Sequence, residues 1–219
     1  MKKLFALAAL VAGLGVASQA SAEPSALQSL NPAATPAANS VTLTVSRPTV
    51  TYGTAVAVHG SISPAAANQT VTITADPAKG ATRQIPAKTQ ADGTFSVRSV
   101  PLIRTEYTAT WGGASSQPQI AFVRPRIVLK KLSRRALAVS VYSLNRLVDR
   151  PVHLNRWSKR KRQYVPVKTA LLGKTKRSTI FQARFNLKMK RGQRFRATMR
   201  ARDAGFGYLF GQSNVVGIR

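Results

Sequence analysis

"VTLTVSRPTVTYGTAVAVHGSISPAAANQTVTITADP", residues 41–77, decides the fold. Apolar residues recur at every second position. Val41, Leu43 and Val45 alternate with Thr42 and Thr44. Val56 and Val58 alternate with Ala55 and Ala57, and Val71 and Ile73 with Thr72 and Thr74. A period of two places one set of side chains on each face of an extended chain. Gly, Pro and Asn bound each run, so the runs read as short strands. The pattern extends outward. Phe95 and Val97 follow the turn Asp92-Gly93, Tyr107, Ala109 and Trp111 alternate with Thr108 and Thr110, and Ile120 and Phe122 close the series. Residues 41–123 suit an antiparallel β-sandwich of about six or seven strands.

The second half carries the same period. Leu137, Val139 and Val141 alternate, Val152 and Leu154 follow, and Val165 and Val167 come after a basic run. Phe181, Ala183, Phe185 and Leu187 form one set, and Phe195, Ala197, Met199 and Ala201 another. Val215, Val216 and Ile218 form the last apolar group. "KTALLGKTKRS", residues 168–178, lacks a clear period and reads as a mobile loop. The halves look like a diverged repeat. Val56 and Val71 have the same spacing as Leu137 and Val152, and "EYTATWGGASSQPQIAFV" parallels "RFRATMRARDAGFGYLFGQSNVVGI" with a longer bend. Arg124-Pro125-Arg126 is the junction, so two domains are expected, 41–123 and 124–219, set end to end with limited freedom.

At this level the chain resembles exported bacterial proteins with tandem immunoglobulin-like domains. The residues that carry the likeness are "VTLTVSRPTVTYGTAVAVHGSISPAAANQTVTI", "DGTFSV" and "YTATWGGASS". To these add the "VRPR" step at 123–126, the strand from Val152 to Arg156, and "GYLFGQS" at 207–213. The resemblance implies an all-β protein of two tandem Ig-like antiparallel β-sandwiches with an exported, modular, non-enzymatic role. It implies no ligand and brings no catalytic residues with it.

The first residues read as an export signal. Met1-Lys2-Lys3 is positive, Leu4 to Val16 is apolar, and Ala20-Ser21-Ala22 has the small residues of a cleavage site. The apolar run is too short to span a bilayer. Cleavage after Ala22 would leave 197 of the 219 residues, in a secreted or cell-envelope location. Residues 23–40, rich in Ala, Pro, Ser and Asn, read as a flexible arm. The chain has no cysteine, hence neither disulfides nor thiolate metal sites.

Charge is strongly asymmetric. Residues 41–123 hold six Lys/Arg and three Asp/Glu, whereas residues 124–219 hold 26 Lys/Arg and two Asp/Glu. Such imbalance points to an anionic partner for the second half. Arg194, Arg196, Arg200 and Arg202 fall on one parity, a row with steps of about 6.6–6.8 Å if extended. Arg184 and Lys188 would flank that row if their strand pairs with it through a turn at 189–193. In "NRWSKRKRQYVPV", residues 155–167, the cations Lys159, Arg160, Lys161 and Arg162 sit at a hairpin tip, with Arg156 beside them. Trp157 has two readings, a shelf under the loop or a stacking platform for a sugar or base. The basic face likewise reads as an anion-binding surface or as a solvated one, and the scarcity of acids favours the first.

Catalytic chemistry is poorly supplied. Asp92 is explained by its turn. His59 and His153 are the only histidines, so a metal site would need distant carboxylates, and no metal or cofactor is expected. Ser115-Ser116 has no base near it in sequence. The leading expectation is therefore a non-catalytic exported protein that binds an anionic polymer: acidic polysaccharide, envelope phosphates or extracellular DNA. A module recognising a protein partner through domain 1, or through the bends at 112–113 and 205–211, is the alternative. An enzyme acting on wall polymers is a third.

Overall fold

The computed structural model describes residues 38–219. The signal expected at 1–22 and most of the arm expected at 23–40 lie outside them. The last residues of that arm are structured: the Asn39 amide donates to the Gly112 carbonyl at 3.0 Å, and Ser40 begins a strand.

The first half forms ten strands: β1 Ser40–Val41, β2 Thr44–Val45, β3 Thr49–Thr51, β4 Val56–Ser63, β5 Thr70–Pro77, β6 Arg83–Lys88, β7 Thr94–Ser99, β8 Thr105–Trp111, β9 Ala114–Ser115 and β10 Gln119–Arg124. One sheet pairs β1, β2 and β7 with β4; the other runs β3-β10-β8-β5-β6, with β9 folded onto β8. The alternating residues meet between them. Val56, Val58, Val71, Ile73, Phe95, Tyr107 and Ala109 are buried. The Asp92-Gly93 turn forms as expected. The Asp92 carboxylate accepts the Thr94 amide at 3.0 Å and its hydroxyl at 2.7 Å, and the Thr94 amide in particular holds that carboxyl below its usual range. Strand β10 has the opposite parity from the one expected. Ala121 and Val123 are buried, while Phe122 is 37% exposed. Register decides this rather than side-chain size: Val123 lies opposite Val50 in the parallel β10–β3 pair, and Ala121 opposite Thr105 in β8.

The second half repeats the plan with β11 Arg126–Ser133, β12 Ala136–Tyr142, β13 Pro151–Ser158, β14 Gln163–Leu171, β15 Gly173–Lys174, β16 Ile180–Asn186, β17 Arg194–Met199, the helical turn α1 Ala201–Ala204, β18 Gly211–Gln212 and β19 Val216–Gly217. Its sheets are β11-β12-β16-β15 and β14-β13-β17-β18, with β19 also on β17. Leu129, Leu137, Val139, Leu154, Phe185, Phe195 and Met199 fill the core. The loop expected at 168–178 is largely strand. Lys168–Leu171 complete β14, and Gly173–Lys174 pair with β16. Leu172 is fully buried between them, its amide donating to Arg150 and its carbonyl accepting from Asp149. Val167 is 38% exposed and sits at a bulge, unpaired between Pro166 opposite Asn155 and Lys168 opposite Leu154, and β14 is an edge strand. The edge carries Pro166 and Lys168, which discourage pairing with another chain.

A small motif shows the repeat atom by atom. In the first half Ser116 and Ala109 exchange two bonds: the Ser116 amide donates to the Ala109 carbonyl, and the Ala109 amide to the Ser116 hydroxyl, both at 2.9 Å. In the second, Ser213 and Ala197 do the same at the same distances. Ser116 is thus a buried bend-holder rather than an available nucleophile.

The sandwiches share a joint. Strand β10 leads through Pro125 directly into β11, and a later segment lies beside the step. Tyr208 bridges Val123 and Ser213 bridges Ile127, both in parallel. The Gly207 carbonyl accepts from Arg104, the Leu209 amide donates to Val123, and the Tyr208 hydroxyl donates to Leu102 and accepts from Leu144. Gly207 has φ +82, and a Cβ there would stand 2.6 Å from Ile103 Cγ1. Only glycine fits both the backbone angle and the approach.

Candidate functional site

Strands β13 and β17 are neighbours with fixed register. His153 lies opposite Thr198, Leu154 opposite Ala197, Asn155 opposite Arg196 and Arg156 opposite Phe195. Because Leu154, Phe195, Ala197 and Met199 point into the core, His153, Asn155, Arg194, Arg196 and Thr198 belong to the outer face. Trp157 and Tyr164 face each other across β13 and β14.

Three outer side chains form one array. The Trp157 and Tyr164 rings meet edge to face, with centroids 5.2 Å apart and planes at 64°. The Arg196 guanidinium stacks over Tyr164 at 4.6 Å and donates from Nη1 to Gln212 at 2.9 Å. Each such aromatic or cation–π contact contributes about 0.5–1.5 kcal/mol. Asn155 fills the space beneath, donating to the Thr198 hydroxyl at 2.8 Å and the His153 carbonyl at 3.3 Å. Trp157 remains 37% exposed. Beyond it the chain turns through Lys159–Arg162, all four exposed, with Arg162 at φ 49. Arg156 is exposed at the same end.

The arginine row is shorter than expected. Arg194 and Arg196 share the outer face of β17, but the strand stops at Met199. Arg200 caps α1, and Arg202 lies within it, its Nε 3.9 Å from Asp203. Ala201, expected inward, is exposed in the same turn. Arg184 and Lys188 do not flank the row. Strand β16 pairs with β12, and residues 187–193 carry the chain across the sandwich to the other sheet, as residues 100–104 do in the first half.

Two partners were not legible in the sequence. Tyr164 and Gln212 hold Arg196, and they come from β14 and β18, on opposite sides of its strand. His153 also meets a distant carboxylate. Its Nε2 lies 3.8 Å from Asp203 Oδ2, and its Nδ1 is 3.0 Å from the Thr169 hydroxyl. Among the described residues, no three His, Asp or Glu gather as metal ligands.

The described ion pairs use few of the cations. In the second half Arg202 is the one Lys or Arg within 4.0 Å of a carboxylate among the described residues. The hairpin tip, Arg156 and Arg194 therefore present charge to solvent without a carboxylate partner there.

No protein-family model matches the chain, and no curated protein does. Solved structures are similar in shape at low identity. A tetra-tandem repeat from the extending region of a large adhesion protein aligns at 14% identity and a TM-score of 0.36, covering 83% of this chain and 49% of that one, so this chain spans about half its length. Bovine butyrophilin aligns at 8% identity and a TM-score of 0.36, covering 83% of this chain and 99% of that one. A marsupial T cell receptor aligns at 10% identity and a TM-score of 0.32, covering 82% and 100%. The fold itself, all-β with two tandem sandwiches of immunoglobulin-like strand order, rests on the sheets and registers of the chain.

Proposed function

We propose that this protein is a non-catalytic, exported module that binds an anionic polymer through the outer β14-β13-β17 face and hairpin tip of its second sandwich. The observation that carries this reading is the Trp157–Tyr164–Arg196 array continuing into four exposed cations. Lys159, Arg160, Lys161 and Arg162 supply multivalent charge at the tip. Arg194 extends it along the outer face, and Arg156, on the opposite parity across from Phe195, adds an exposed cation at the end of the sheet. Arg196, fixed by Tyr164 and Gln212, offers a preorganised guanidinium, and Trp157, partly exposed against Tyr164, offers aromatic surface in the same array. Acidic polysaccharide, envelope phosphates and extracellular DNA all present repeating anions to such a surface. Arg184, on the other sheet, Lys188, in the crossing segment after it, and Arg202, paired with Asp203, have no part in this face.

The test is binding of the protein to dextran sulfate, polyphosphate and duplex DNA, with neutral dextran as control, across a salt series. Affinity for the polyanions falls steeply with salt, and replacing Lys159–Arg162 with Gln flattens that slope by about four counterions at most. A salt slope unchanged by the fourfold replacement would remove the tip from the site and sink the proposal.

A second reading has its own observation. Phe206 is 76% exposed and Phe210 46% exposed in the bend after α1, next to the joint. Exposed aromatics of this kind anchor protein interfaces. Under that reading a protein partner is lost on replacing Phe206 and Phe210 by Ser and kept when the tip cations are removed.

A further inference from the structure

A second basic site lies away from that face, in a hollow of about 470 Å³ where the two sandwiches meet. Its cations are Lys79 from the β5–β6 loop, Arg146 from the β12–β13 loop, Lys174 at the end of β15, and Lys176 and Arg177 from the stretch between β15 and β16. Leu144, Val148 and Phe181 supply apolar wall, and among the described residues no acidic side chain lines it. All five cations are exposed, and they come from three separate segments around one concavity.

The loops are fixed in place. The Thr175 hydroxyl lies 2.8 Å from the Ile180 carbonyl and 3.0 Å from that of Arg177, and accepts the Arg177 amide at 3.2 Å. Asn145, beside Arg146, donates to the carbonyls of Ala204 and Phe206. Leu144 donates to Tyr208. On the first sandwich Ala78, next to Lys79, donates to the Arg104 carbonyl, and Arg104 donates in turn to Gly207. One continuous set of hydrogen bonds therefore runs from the Lys79 loop through the joint to the Arg146 loop. The ligand therefore meets backbones already held in place and orders only the exposed side chains of the cations as it binds.

The lining selects the chemistry. A lone carboxylate cannot engage five cations, whereas a phosphate group carries up to two negative charges and three acceptor oxygens suited to guanidinium forks. A smaller hollow of about 190 Å³ adjoins it, sharing Lys79 and Leu144 and walled by Ile85, Val100, Leu102 and Ile103. We propose that the joint is a binding site for a phosphate-bearing ligand, with the charged group among Lys79, Arg146, Lys174, Lys176 and Arg177. A free polyphosphate would fill the basic hollow alone. A phosphorylated amphiphile would also place apolar atoms against Ile85 and Leu102. The site uses none of the residues of the polymer-binding face and does not depend on that function.

The experiment is calorimetric titration of the protein with inorganic tripolyphosphate and, separately, with dihexanoyl phosphatidic acid. Each is repeated on Lys79→Gln, Arg177→Gln, the fourfold Gln variant of Lys159–Arg162, and a charge-matched single control, Lys130→Gln. One saturable site is expected, weakened roughly tenfold or more by Lys79→Gln and by Arg177→Gln, since each removes a charge-assisted bond. The tip variant and the control retain it, which separates this site from the proposed polymer face. Ala81→Trp, which fills the smaller hollow, weakens phosphatidic acid alone if the ligand is an amphiphile and neither probe if it is a free phosphate. Absence of saturable binding by both probes overturns the proposal. So does equal weakening in the control, or full binding by Lys79→Gln, which would show that the first sandwich contributes nothing.

Discussion

The hydroxyl of Tyr208 donates to the carbonyl of Leu102 at 2.6 Å, across 106 residues of sequence, and so ties the second sandwich to the first. The same oxygen accepts the Leu144 amide at 2.9 Å. One atom thus satisfies a backbone acceptor on one side of the joint and a backbone donor on the other.

Tyr208→Phe leaves both groups without that partner. The expected loss is about 1–3 kcal/mol, the cost of an unmade buried hydrogen bond. In urea the unfolding midpoint falls, and thermal unfolding drops by roughly 2–4 °C for each kcal/mol. An unchanged midpoint would mean that water replaces the hydroxyl at no cost.

Gly207→Ala attacks the joint from the opposite side. The new methyl needs a positive φ and runs into Ile103. Backbone strain alone is worth about 1–3 kcal/mol. Shortening Ile103 to Ala in the same chain relieves the contact but not the angle. A double-mutant cycle on denaturant midpoints should therefore show coupling, with the double variant less destabilised than the sum of the singles. Strict additivity would show that the two residues do not meet.

Ser213→Ala and Ser116→Ala should behave alike. Each strands the buried amide of an alanine, Ala197 or Ala109, at a cost of about 1–3 kcal/mol. Urea denaturation of both variants checks the repeat energetically. A large effect at one serine with none at the other would show that the shared geometry does not carry shared stability.

Alkaline pH should loosen both sandwiches. Burial pushes the phenols of Tyr107 and Tyr208 above the usual tyrosine value, outweighing the Ser99 bond to the first and the Leu144 and Ser143 bonds to the second. The neutral form belongs to the folded state, so this stability is whole below the unfolded value near pH 10. It is lost as pH climbs through the raised folded values, because the unfolded chain releases protons the folded one retains. An absorbance titration should show the phenolate signal of two of the five tyrosines arriving late, together with the loss of β-sheet dichroism. Full ionisation with the dichroism intact would contradict the assigned burial.

Strand positions were legible wherever one face of the strand is buried. The alternation at Val56–Val58, Val71–Ile73 and Leu137–Val141 named the core directly. Sequence misled where partners, not periodicity, set the outcome. Phe122 is more apolar than Ala121, yet parallel pairing with β3 turned it outward. The β16–β17 connection looked like a hairpin, because a crossover between sheets and a hairpin turn have similar length and composition. Arg200 and Arg202 kept the strand's parity on paper while the chain had already turned into α1. The hairpin tip was legible, since four cations between two strand patterns have nowhere else to go. The stack on Tyr164 and the Lys79 hollow were not, because each joins segments far apart in sequence.

The parallel bridge between Tyr208 and Val123 joins the halves across a long stretch of chain. Each sandwich closes through contacts largely of its own half, and closing the long loop from Leu102 to Tyr208 costs additional chain entropy. The joint can close only once nearly all of the second sandwich has been synthesised. Until Gly207 and Tyr208 dock, the two halves are held by the backbone at 124–126 without that lock, and Ile103 waits uncovered by Gly207. Docking of this one bend completes both the core and the alignment of the domains. A chain interrupted before it would keep most of its strands and lose the register between its halves.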